Sequence, residues 1–217
     1  MTQPFGPLST TRYVANGVPF SMVRVPPGRF LDRVEHLISY PFEIGIEPVS
    51  DELWVTVFGN PHRSEPMPLD GASMDNVSRF LARLDVLGLH GFRLPTSAEW
   101  AWAVRCGVAT RFSGADRVSA VCSRGKFLAP VTRNQPNASG LFGMTGGVFE
   151  RLSDEVSWGR EGGGVDPVGA ADALSLGRSG VRGSSFRKPG RVQDGMSVDR
   201  ARLFEIGLRL CRVVGGP

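Results

Sequence analysis

The side chains best suited to redox or metal chemistry in this 217-residue chain are three cysteines and three histidines, and their spacing limits what they can do. Cys106, Cys122 and Cys211 are odd in number and far apart, with no Cys-x-x-Cys pair, so they predict neither a disulfide framework nor a zinc site. The expectation is buried thiols acting as small apolar side chains. His36, His62 and His90 are equally dispersed, without a His-x-x-x-His or His-Glu-x-x-His run to hold a metal. The densest polar chemistry lies later, in VRGSSFRKPGRVQDGMSVDRAR (Val181–Arg202), which carries six Arg or Lys side chains and no Cys or His. Gly183, Pro189, Gly190 and Gly195 exclude a regular amphipathic helix there.

The elements that must position these residues are read from composition and period. The 28 glycines and 16 prolines predict many turns without a low-complexity run. The net charge of +4 is mild and comes almost wholly from Arg, with Lys only at Lys126 and Lys188. No basic cluster is interleaved with aromatics, so nucleic acid is not expected as a partner. No charged start followed by an apolar run marks a signal peptide, and no apolar segment has membrane-spanning length. A soluble protein made in a cytoplasm is expected, without membrane insertion. Asn16-Gly17 is a hairpin signal between strands, and Phe42, Ile44 and Ile46 alternate with Glu43, Gly45 and Glu47 as in a strand with one buried face. Three helices follow. Ser50 caps the first, which buries Leu53, Trp54, Val57 and Phe58. The second, SMDNVSRFLARLDVLG, buries Val77, Phe80, Leu81, Leu84 and Leu87. Thr96 and Glu99 form a capping box at the start of the third, whose stripe is Trp100, Ala103 and Val104. Beyond residue 108 glycine-rich irregular segments predominate, and FEIGLRLCRVV reads as one closing strand.

These pieces, in this order, resemble the formylglycine-generating enzyme and sulfatase-modifying-factor family. The resemblance is carried by FSMVRVPPGRF, FEIGIEPVSDELWVTVF, GFRLPTSAEWAWAVRCG, NASGLFGMTGGVFE, VRGSSF with DRAR, and IGLRLCR, over residues 18 to 212. It implies an α+β, C-type-lectin-like fold of the formylglycine-generating-enzyme type. Two to three helices surround a twisted antiparallel sheet, with much irregular structure. The expected organisation is an N-terminal arm (1–17) and a single domain (18–217).

The same resemblance bears on function. Family enzymes that oxidise a cysteine hold copper with two cysteines in the loop after R-G-G-S, and thiolate pairs suit Cu(I). In this chain that loop is Val181–Arg202, whose only sulfur is Met196. The family also has a calcium site, where Gly143 here takes a place usually held by Asp or Asn, leaving Glu150 as the candidate ligand. Calcium is the one cofactor this leaves open. Arg182, Arg200 and Arg209 are expected to be ion-pair or carbonyl partners. The expectation is therefore a non-catalytic binding or display protein. Its ligand-binding residues are Phe186, Arg187, Lys188, Arg191, Gln193, Asp194, Met196 and Asp199, extended by Trp158 and Arg160. Arg and aromatic side chains are the usual anchors of such surfaces. The expected partner is a protein or cell-surface ligand. The protein would be virion-borne or surface-displayed: a phage virion component, or a protein resembling the variable proteins of diversity-generating retroelements. The alternatives are a metal-dependent oxidoreductase of the parent family and a structural subunit of a larger assembly.

Overall fold

The computed structural model describes residues 5, 8–32, 34–62, 65–105, 107–108, 110–122, 128–154, 163–169, 178–187, 191, 195–199 and 204–214. The first hairpin joins β1 (Thr10–Ala15) to β2 (Val18–Val25) with Ala15 opposite Val18. Asn16 and Gly17 both take positive φ, 46° and 86°, which is the two-residue turn that Asn-Gly favours. The segment expected as an arm thus enters the fold from Thr10 as an edge strand. β5 (Phe42–Gly45) pairs with β2, and β11 (Cys211–Val213) closes this antiparallel sheet in the order β1-β2-β5-β11.

Two further sheets are mixed. β6 (Phe149–Arg151), β8 (Arg178–Gly183), β9 (Gly195–Asp199) and β10 (Ile206–Leu208) lie in the order β10-β6-β8-β9, with β10 parallel to β6. β3 (Gly28–Asp32), β4 (Val34–Ile38) and β7 (Gly164–Val165) form the third, with β7 parallel to β4. The fold is the expected α+β type, built on three sheets.

The helices are α1 (Asp51–Val57), α2 (Met74–Val86) and α3 (Ser97–Arg105). Side-chain caps start the first two: Ser50 accepts from the Leu53 N–H at 3.1 Å and Ser73 from the Asn76 N–H at 3.3 Å. One core lies between α1, α2 and β2, around Met22, Leu53, Val57, Phe80 and Leu84. Trp54 is half-buried there, stacked on Phe80 with ring centroids 4.8 Å apart. The other surrounds α3, which is buried on every side and so carries no single stripe. Beyond α3 the only helical turns among the described residues are two short 3-10 segments.

Two strand expectations are revised. β5 is buried at all four positions, because Glu43 takes hydrogen bonds from Thr11 Oγ1 and Tyr13 Oη at 2.6 Å each. The closing strand is two strands. Ile206–Leu208 lies beside β6, whereas Cys211–Val213 lies beside β5 in another sheet. The chain changes sheets at Arg209-Leu210.

Candidate functional site

Several charges that the sequence motifs contribute are used inside the scaffold. Arg209, fully buried on the crossover, donates to both oxygens of Glu150: Nη2 to Oε1 at 2.6 Å and Nε to Oε2 at 2.9 Å. Its remaining N–H groups reach the carbonyls of Gly45, Ile46 and Phe142 at 2.7–2.9 Å. Trp100 Nε1 donates to Glu150 Oε2 at 2.7 Å. Glu150, the candidate calcium ligand, is therefore the partner of a buried guanidinium. A dication at its oxygens would have to displace that cation, and calcium requires several free oxygens. Arg182, as expected, is an ion-pair partner. It reaches Asp32 Oδ2 at 2.9 Å and Ser97 Oγ at 2.8 Å, and Arg105 takes Asp32 Oδ1 at 2.7 Å. Arg200 lies outside the described residues.

The capping box is formed. Glu99 N–H donates to Thr96 Oγ1 at 3.1 Å, and Thr96 N–H to Glu99 Oε2 at 2.8 Å. Arg93 then clamps Glu99 at 2.6 and 2.7 Å, and Tyr40 Oη donates to it at 3.0 Å. Burial pushes the Glu99 carboxyl up, but the Arg93 guanidinium outweighs it and holds the group below its usual range. Cys211 lies beside this carboxylate, Sγ to Oε2 3.8 Å. Burial first, and the Glu99 charge second, push its thiol well up, so Cys211 stays protonated. Cys122 is buried elsewhere, packed on the Gly146 backbone. Cys106 lies outside the described residues.

The histidines do not converge either. His36 packs against Phe30 with centroids 5.1 Å apart and the rings tilted by 31°, His62 faces Asp51 at 3.2 Å, and His90 faces Asp85 at 3.6 Å. Among the described residues no three His, Cys, Asp or Glu side chains are grouped to hold a metal, and no helix is long and apolar enough to cross a membrane.

The late loop keeps fewer of its expected exposed residues. Phe186 is buried, at 8% exposure, because its N–H is tied to the Gly147 carbonyl at 2.8 Å and its ring lies under the Arg187 guanidinium, 5.3 Å away. Met196 is half-buried against Val181, Val198 and Ile206. Arg187 and Arg191 are exposed. Trp158, Arg160, Lys188, Gln193 and Asp194 lie outside the described residues, as does the side chain of Asp199.

Two residues that the sequence reading placed only in the closing strand join Arg187. Phe204 is 80% exposed, and Glu205 pairs with the Arg187 Nε at 3.3 Å. Glu205 takes φ of 60°, a left-handed conformation uncommon for a residue with a Cβ. The turn is pinned from below. Phe149 N–H binds the Glu205 carbonyl at 2.8 Å, and Gly71 and Ala72 N–H groups bind that of Ile206 at 3.0 Å each. A strict strand alternation through Phe204, Ile206 and Leu208 puts Phe204 inside. The left-handed Glu205 breaks that alternation and turns the ring out. An exposed aromatic ring thus stands next to the Arg187–Glu205 pair on a turn held by backbone hydrogen bonds.

A family model described as sulfatase-modifying factor enzyme 1-like domain matches residues 18–212. The chain belongs to this family. Three solved structures share the fold. Treponema denticola variable protein 1 is 20% identical with a TM-score of 0.80, covering 94% of this chain and 98% of that one. PvdO from Pseudomonas aeruginosa is 17% identical with a TM-score of 0.79, covering 97% and 100%. CarF is 18% identical with a TM-score of 0.67, covering 91% and 99%. No curated protein sequence matches the chain.

Proposed function

We propose that this member of the family is a non-catalytic binding and display protein that contacts a protein or cell-surface ligand through its late loop and the Phe204 turn that follows it. One observation carries the reading: Phe204 stands out of the surface on a turn pinned by three backbone hydrogen bonds, beside the Arg187–Glu205 pair. An exposed aromatic next to an oriented arginine is the composition of a binding hot spot, and a rigid base lowers the entropy lost on contact. The structural likeness to a protein named as a variable protein agrees with it. The protonated, buried Cys211 disfavours a thiolate role for that residue. Two settings suit such a protein, a retroelement variable protein and a phage virion component. A neighbouring reverse transcriptase with a copy of the loop sequence favours the first, and neighbouring tail genes the second.

The test places a photo-crosslinking phenylalanine analogue at position 204 and exposes the protein to intact host-cell surfaces. A discrete adduct is expected, competed by excess wild-type protein and not by Phe204→Ala or Arg187→Ala. Absence of a competable adduct counts against the reading. Stoichiometric copper or iron in the purified protein, with oxygen consumed on a cysteine peptide, replaces it with an oxidoreductase.

A further inference from the structure

The three-stranded sheet presents an outer face that the described residues leave exposed. Its inner face, with Phe30, Asp32, His36 and Ile38, is buried toward α3. On the outer face the register puts Leu31 opposite Glu35, and Leu37 between Arg29 and Val165. Leu31 is 69% exposed, Val165 64%, and Val168 just beyond the strand 71%. Leu31 and Val165 are two of the seven large apolar side chains most exposed among the described residues. Gly163 comes so close that a Cβ there would lie 2.4 Å from the Glu35 carbonyl oxygen, which keeps this corner low and open. Beside it a recess of about 350 Å³ is lined by Arg29, Leu31, Glu35, Trp102 and Arg105 among others. The face therefore carries apolar knobs and a hollow together.

Among the described residues the face carries two charges, and they are of opposite sign. Arg29 and Glu35 are both exposed, and neither has a salt-bridge partner among the described residues. Flanking Leu31 and Leu37, they make a pattern complementary to itself. Rotated by a twofold axis, Arg29 of one copy meets Glu35 of the other while the apolar side chains meet at the centre. Twofold interfaces need this self-complementarity, because residue i must suit residue j in both directions. A single-signed face would repel its copy.

We infer that the outer face of β3-β4-β7 is a self-association surface, and that its occupant is a second copy of this chain. The inference is independent of the late-loop reading, since no residue of one takes part in the other. A dimer joined here carries two late loops, and a linked pair gains avidity on a repetitive surface.

Sedimentation equilibrium on the full chain, from about 1 to about 100 µM, tests it in the range expected of interfaces of modest area. A concentration-dependent dimer is expected. Leu31→Asp and Val165→Asp each give a monomer with an unchanged circular dichroism spectrum, since both positions are exposed and drive no folding. Arg29→Glu raises the dissociation constant by at least about 10-fold, and adding Glu35→Arg restores it to within about 3-fold of wild type. A monomer throughout the range overturns the inference. So does a dimer indifferent to Leu31→Asp, or a charge swap that fails to restore what the single reversal removes.

Discussion

At the scale of the residue, the fold depends on a few buried charges whose partners are complete. Glu150 and Arg209 are both fully buried, so removing one strands the other in a low-dielectric site. Glu150→Gln is expected to cost about 3–5 kcal/mol, lowering the melting temperature on the order of 10 °C, as calorimetry reads. Asp154 behaves differently. Its oxygens accept from the Ser97 and Gly169 N–H groups at 2.7 Å each, which favours the carboxylate, yet burial outweighs them and pushes its pKa up to about 6. The folded state thus holds this proton to higher pH than the unfolded chain. Its stabilising contribution is present below about pH 4 and is lost as pH rises through about 6, amounting to about 3 kcal/mol at most. Urea unfolding of wild type and Asp154→Asn between pH 4 and 7 is expected to show the wild-type advantage shrinking as pH rises. Arg209 was legible as a buried partner from the closing motif, but Asp154 was not. Its hydrogen-bond partners Ser97 and Gly169 lie 57 and 15 residues away, and no local pattern announces them.

At the scale of the element, caps and periods explain what was readable. Ser50, Ser73 and Thr96 each offer an oxygen to a first-turn N–H, and the first and third helices begin where the caps read at Ser50 and Thr96 predict. Strands were harder wherever both faces are covered, as in β5, or where a chain leaves one sheet for another, as at Arg209. Close packing between elements adds constraints that sequence period cannot express. The first residue of β3, Gly28, sits against the α3 indole of Trp102, where a Cβ would lie 2.4 Å from Cζ2. Trp102 is held by its own bond to the Pro26 carbonyl at 2.8 Å, so the ring cannot retreat cheaply. Gly28→Ala is expected to cost about 1–3 kcal/mol and to change the near-ultraviolet dichroism of Trp102.

At the scale of the whole molecule, the proposed contact surfaces and the structural residues are separate. Phe204 and Leu31 are exposed, so Phe204→Ala and Leu31→Asp are each expected to leave the melting temperature within about 2 °C of wild type while changing association. The fold was legible because its motifs are structural: they cap, pair and pack. The exposed knob was not, because its direction follows from a left-handed Glu205 that alternation does not foresee. The crossover at Arg209-Leu210 has a consequence for biosynthesis. The last strands supply an edge of two sheets at once, and Arg209 reaches back to Gly45, Ile46 and Phe142 as well as Glu150. A nascent chain still lacking residues 206–213 therefore cannot complete either sheet while it emerges from the ribosome. Any frameshift or early stop within residues 181–202 removes this clasp and leaves both sheets without their closing edge strand.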